Sequence, residues 1–193
     1  MMENDKLRQT PSQTVGPFFA YGLTARQYGY DYTSIMNGSL LADDVRGERI
    51  YISGCIVDGE GNRIPDAMIE LWQADELGRY RIVPLQKDRN GFQAFGRLGT
   101  GTDPGNRYCF STIKPGSVNG QAPHVNVILF MRGSLRGLYT RLYFSDEQND
   151  DDPLLQAIDA GRRRTLIATR TDSNTYQFDI YMQGPNETVF FDL

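Results

Sequence analysis

Histidine is nearly missing from these 193 residues: there is one, His124. A Ser-His-Asp or Cys-His relay would have to be built on it, and no Gly-x-Ser-x-Gly elbow is present. Cysteine is almost as scarce. Cys55 and Cys109 lie far apart and form no Cys-x-x-Cys pair, so neither a disulfide framework nor a zinc site of ordinary ligand count is implied. Both fall in apolar strand patterns and read as buried packing residues. No Gly-x4-Gly-Lys-Ser/Thr phosphate loop occurs, and Gly99-Thr100-Gly101 reads as a plain loop. No stretch approaches the roughly 20 apolar residues of a membrane span. Basic runs are short, Arg162-Arg163-Arg164 at most, and 20 Lys and Arg stand against 24 Asp and Glu for a net charge of -4. The electrostatic footprint of a nucleic-acid binder is therefore missing. The polar start Met1-Met2-Glu3-Asn4-Asp5-Lys6 argues against a secretory signal, and a cytoplasmic, reducing location is expected.

What is present is a chain with 39% hydrophobic and 11% aromatic residues, enough to fold around a core. One domain over residues 1–193 is expected, with an extended N-terminal arm (1–23) and a β-sandwich core (48–193). The arm carries Pro11, Gly16 and Pro17 and no helical period, then Phe18, Phe19 and Tyr21, so it must pack on its own domain or on a partner. Residues 24–41 are ambiguous between a short helix and a loop. The stretches 49–57 and 67–72 read as strands joined through a Gly-rich turn, as in a hairpin or similar short connection. Residues 91–97 and 107–113 offer shorter strands.

The clearest strand is 124–132. Val125, Val127, Leu129 and Met131 share one face, and Asn126, Ile128 and Phe130 the other. Both faces are mostly apolar, which predicts a central strand. One helix is expected from Asp152-Pro153, with Leu154, Leu155 and Ile158 as its stripe, Gly161 as its stop and the arginines at its negative end. Closing strands follow at 166–169, 176–183 and 188–193. Many short strands, Gly and Pro turns and few helices indicate an all-β fold, a two-sheet antiparallel β-sandwich. On residues alone, His124 reads first as a structural strand histidine. The acidic run 146–152 lacks the spacing of a calcium loop. A non-catalytic binding module or a purely structural subunit both stay open.

Several ordered pieces carry a resemblance. They are Thr10-Pro11-Ser12-Gln13-Thr14-Val15-Gly16-Pro17-Phe18-Phe19, Ile69-Glu70-Leu71-Trp72-Gln73-Ala74-Asp75 with Gly78-Arg79-Tyr80, Thr112-Ile113-Lys114-Pro115-Gly116 with Ala122-Pro123-His124-Val125-Asn126, Thr140-Arg141-Leu142-Tyr143-Phe144, and the tail Glu187-Thr188-Val189-Phe190-Phe191-Asp192. Together they resemble the intradiol ring-cleavage dioxygenase family from about Thr10 to the end. The resemblance implies cleavage of 3,4-dihydroxybenzoate with dioxygen to 3-carboxy-cis,cis-muconate, on a non-haem Fe(III) held by two tyrosines and a His-x-His pair.

This chain departs from that ligand set. His124 keeps the first histidine position, Asn126 takes the second, Val118 stands where one tyrosine would be, and residues 81–91 contain no tyrosine for the other. The implied reading is a degenerate metal site here, no catalytic residue in this chain, and Fe(III) on a homologous beta subunit. The alpha-type chain would then lend a wall to the partner's site. Thr14, Gly16, Pro17 and Phe18 match one such segment, with Phe18 where the family often has tyrosine. Arg132 matches a guanidinium facing the carboxylate of a small aromatic substrate. Trp72 is expected to be a core or interface anchor.

Overall fold

A computed structural model of the chain describes residues 10–41, 44–80 and 92–192. Nine strands dominate it: β1 (Arg49–Val57), β2 (Met68–Gln73), β3 (Phe95–Gly99), β4 (Arg107–Ile113), β5 (His124–Phe130), β6 (Leu138–Phe144), β7 (Ile167–Asp172), β8 (Thr175–Gln177) and β9 (Ile180–Tyr181). They hydrogen-bond in the order β3-β2-β5-β6-β7-β8-β1-β4, with β9 also on β1. β7 joins the two halves, pairing β6 on one side and β8 on the other. The halves fold over one core that includes Ile52, Ile69, Phe110, Val127, Leu142, Phe144 and Tyr176. Each such side chain taken out of water contributes about 1.5–3 kcal/mol. The β-sandwich expected from the sequence is the one found, with one refinement. Most pairings are antiparallel, but β1–β8, β1–β9 and β6–β7 are parallel.

β5 is central, flanked by β2 and β6. Its alternation is as expected: Val125, Val127 and Leu129 are buried in the core, whereas Asn126, Ile128 and Phe130 are half-buried. The second face is thus only partly covered within this chain.

Other expectations are corrected. β1 and β2 do not form a hairpin. β1 pairs with β4 and β2 with β3 and β5, so the Gly-rich connection carries the chain from one half of the sandwich to the other. The single helix is broken into α2 (Pro153–Gln156) and α3 (Ala160–Arg163). Asp152 caps α2 as expected, accepting from the Leu154 and Leu155 amides, but Asp159 caps α3, and Gly161 lies inside α3 rather than ending a helix. Arg163 does bond the Gln156 and Ile158 carbonyls at the end of α2. The arm is not extended throughout: Phe19–Leu23 is helical (α1), and Ala25–Tyr28 follows as a 3-10 turn. The tail 188–192 contributes one bridge, Phe191 to Tyr139, instead of a strand. Cys55 is buried, but Cys109 is exposed, because it alternates outward from buried Tyr108 and Phe110. Residues 81–91, where the second tyrosine would have been sought, lie outside the described residues.

Candidate functional site

The residues singled out from the sequence fall into two groups at opposite ends of β5. His124 begins the strand and Arg132 lies just past its end. At about 3.3 Å per residue, the six steps from His124 to Phe130 span roughly 20 Å, and Arg132 follows in the turn beyond.

At the first end, hydrogen bonds run in one direction. The Asn126 side chain lies opposite Arg141 across β5 and β6, and Arg141 Nε donates to Asn126 Oδ1 at 2.9 Å. Asn126 Nδ2 donates to the Tyr80 hydroxyl at 2.7 Å and to the Trp72 carbonyl at 3.2 Å. The Tyr80 hydroxyl lies 3.1 Å from His124 Nε2. His124 Nδ1 lies 2.8 Å from the Ala122 carbonyl. A carbonyl can only accept, which assigns the proton to Nδ1, makes Nε2 an acceptor and makes Tyr80 the donor to it. Each group in the sequence Arg141, Asn126, Tyr80, His124, Ala122 carbonyl is thereby satisfied.

Local turns deliver these groups. The Asp75 carboxylate accepts from the Leu77 and Arg79 amides, both at 3.0 Å, closing a turn that leads into Tyr80. Gly78 sits in that turn at φ 74, and a Cβ there would lie 1.8 Å from the Ser117 carbonyl oxygen, so only glycine lets the two loops touch. Val118, at the expected degenerate position, is buried and pairs with Gln121 around Asn119 and Gly120. Both turn residues have positive φ, 48 and 81, the geometry that Asn-Gly favours in a two-residue hairpin. That turn aims Gln121 Oε1 at Arg141 Nη1, 2.9 Å away. Buried Asp152 fixes the next residue, accepting from the Ala122 amide at 2.9 Å and from the Tyr143 hydroxyl at 3.2 Å.

Electrostatics keep the cluster neutral apart from Arg141. Burial lowers the His124 pKa against the pull of its bond to the Ala122 carbonyl, and Arg141 lowers it further. Burial raises the Tyr80 pKa, opposed by the Asn126 bond and by Arg141. One imidazole, one phenol, an amide and a guanidinium cation supply at most two donors among the described residues, too few for ferric iron, which calls for several anionic oxygen and imidazole donors. The one imidazole nitrogen that could ligate already accepts from Tyr80. Among the described residues no three His, Cys, Asp or Glu side chains come together in a way that could hold a metal.

At the other end, the arm packs on the last residue of β5, Phe130, two residues before Arg132. The contact is made by Phe19 in α1, with ring centroids 5.6 Å apart. Phe18 is 73% exposed and meets Tyr21 edge-on, and Tyr21 in turn packs on Tyr28. Burial raises the Tyr28 pKa, and Tyr21 and Asp66 add to it. Asp66 forms an ion pair with Arg132. Thr14 and Gly16 are exposed and Pro17 half-buried, and the Arg132 side chain is 59% exposed. Trp72 is 45% exposed and lies against Tyr80 at 4.7 Å, so it is not a core residue. A cleft of about 590 Å³ between residues 24–41 and β3, lined by Arg26, Ile35, Asn37 and Arg97 among others, contains none of these groups.

Tyr80, Arg141 and Gln121 were not among the sequence candidates for the site. Tyr80 and Arg141 lie within the motifs quoted above, but the cross-strand register that joins them is not written in any local pattern.

Residues 24–184 match the family described as Dioxygenase. The chain is 47% identical to the protocatechuate 3,4-dioxygenase alpha chain of Burkholderia cepacia, over 97% of this chain and 98% of that one. It is 41% identical to the alpha chain of the Pseudomonas putida enzyme, over 99% and 100%. It is also 33% identical to the Burkholderia cepacia beta chain, over 74% of this chain and 67% of that one. Among solved structures, an intradiol ring-cleavage dioxygenase from Tetranychus urticae superposes with a TM-score of 0.59 over 91% of this chain and 94% of the other, at 16% identity. That likeness concerns the fold.

Proposed function

The chain belongs to the intradiol ring-cleavage dioxygenase family, and from that premise we propose that it is the alpha subunit of a protocatechuate 3,4-dioxygenase. The complex would add dioxygen to 3,4-dihydroxybenzoate and cleave the ring between the two hydroxyl-bearing carbons, giving 3-carboxy-cis,cis-muconate. Iron is the cofactor of the family. In this reading the ferric ion sits on a homologous beta subunit, and this chain works in the cytoplasm as part of an alpha-beta assembly.

One observation carries the reading: the two ends of β5 divide the labour. At the His124 end the potential donors are tied to one another through Tyr80 and Asn126. Beyond the other end Arg132 follows Phe130, which lies roughly 20 Å along the strand from His124, too far to act on its own chain's cluster, and Thr14, Gly16 and Phe18 of the arm are exposed. A partner's site is what they can reach. There Thr14, Gly16, Pro17 and Phe18 would form a wall beside the planar ring, excluding water and offering an aromatic face. Arg132 would hold the ring carboxylate with charge-assisted hydrogen bonds. Phe18 has no hydroxyl, so its contribution is shape rather than hydrogen bonding.

A purely structural subunit is the second reading, and the ion pair of Arg132 with Asp66 favours it, because that pair already gives the guanidinium an internal partner. Co-expression with an iron-binding homologue tests the proposal. The pair is expected to turn over 3,4-dihydroxybenzoate and to show the tyrosinate-to-iron absorbance of the family, while each chain alone is inactive. A beta chain fully active without this one would contradict it.

A further inference from the structure

We propose that Asp66 is a positioning residue for Arg132, holding the guanidinium by its Nε edge so that its outer nitrogens face the substrate carboxylate. The inference rests on the reading of Arg132 given above and adds a residue to it. Asp66 precedes β2, and its side chain is 9% exposed, against 59% for Arg132. The ion pair joins Arg132 Nε to Asp66 Oδ2. That oxygen is buried and takes no well-formed hydrogen bond among the described residues. A carboxylate withdrawn from water needs a compensating charge, and among the described residues Arg132 is the cation paired with it. The burial of Asp66 therefore pins one edge of the guanidinium.

Geometry makes the pinned edge useful. A guanidinium has five N–H groups in a plane, of which Nε carries one. Held on its Nε edge, it leaves free the end-on pair of N–H groups, one from each terminal nitrogen, the fork that matches a carboxylate. Phe130, two residues earlier, is packed by Phe19 of the arm, which steadies the backbone leading into Arg132. Two effects of Asp66 oppose each other. Its charge partly offsets the attraction of Arg132 for an anion, and its contact removes the rotational freedom that binding would otherwise have to remove. Arg132 is exposed enough that solvent and salt screen the first effect, so orientation is the larger one.

The test uses the alpha-beta complex with iron. Asp66→Asn, which keeps the shape, is expected to raise KM for 3,4-dihydroxybenzoate about fivefold with kcat unchanged. Competitive inhibition by catechol, which has no carboxylate, should not move. In an Arg132→Ala background Asp66→Asn should add nothing further, since it acts through that arginine. Thermal melting of each variant separates loss of fold from loss of grip. If Arg132→Ala raises KM but Asp66→Asn leaves it unchanged or lowers it, the positioning role is wrong and the place of Arg132 stands. If Arg132→Ala itself leaves KM unchanged, the reading of Arg132 fails and the role of Asp66 with it. Equal weakening of catechol and of the carboxylated substrate by Asp66→Asn would mark Asp66 as merely structural.

Discussion

Replacing Tyr80 by phenylalanine removes one oxygen from the middle of the hydrogen-bonded cluster and leaves the ring. Asn126 Nδ2 loses its 2.7 Å acceptor, and His124 Nε2 loses the donor 3.1 Å away. The contact with Trp72 at 4.7 Å is made by the ring and survives. Each lost bond is worth about 1 kcal/mol net, and a buried acceptor left alone costs somewhat more. His124 is 1% exposed, so no water replaces the phenol there without rearrangement. Asn126 keeps its bond to the Trp72 carbonyl, which limits the damage on that side. The sum is about 2–3 kcal/mol. For a domain of this size that is a fall in Tm of about 4–12 °C. The assay pairs differential scanning calorimetry of the alpha-beta complex with steady-state turnover. Lower Tm with unchanged kcat and KM is expected, because the cluster lies at the opposite end of β5 from the surface proposed to face substrate. An unchanged Tm would mean the chain of bonds is not formed. A fall in kcat without a fall in Tm would place Tyr80 in the catalytic machinery and refute the division of labour along β5.

Two further outcomes follow from the same cluster. His124 has its pKa lowered chiefly by burial, so the unfolded chain takes up that proton first. Stability should therefore drop as pH falls below the ordinary histidine value of about 6.5 and stop dropping on this account once the folded pKa is passed. Urea unfolding from pH 8 to pH 5 checks it, with His124→Gln expected to flatten that part of the profile. Asp152 accepts from the amides of Ala122, Leu154 and Leu155 and from the Tyr143 hydroxyl. Asp152→Ala should cost about 3–5 kcal/mol in urea unfolding, combining a lost cap with stranded buried donors, and Asp152→Asn, which keeps one acceptor oxygen, should cost less.

Period-two alternation was enough to find β5 and to assign its faces, because side-chain direction along a strand is a local property. The Asp152-Pro153 cap was legible for the same reason. Pairing was not. Arg49–Val57 and Met68–Gln73 look like a hairpin in sequence, yet they belong to different halves of the sandwich, because their partners lie far away in the chain. Nor could the helix be read through to Gly161, since Asp159 starts a second cap two residues earlier. The residue types Val118 and Asn126, poor donors for iron at positions where the resemblance expects ligands, were visible in the sequence. What surrounds Asn126 was not, because the contact of Tyr80 with His124 spans 44 residues and depends on a turn that only Gly78 permits. The outward surface of the arm was half legible. Its aromatics called for packing on this domain or on a partner, and Phe19 does pack on Phe130, but Asp66 under Arg132 has no sequence signature at all.

Iron analysis of this chain purified alone is the decisive experiment. After loading with ferric iron and removal of the unbound metal, no stoichiometric iron, no visible tyrosinate band and no turnover of 3,4-dihydroxybenzoate are expected. One iron per chain, ligated by residues of this polypeptide and competent for ring cleavage, would contradict the proposed placement of the iron on a beta subunit.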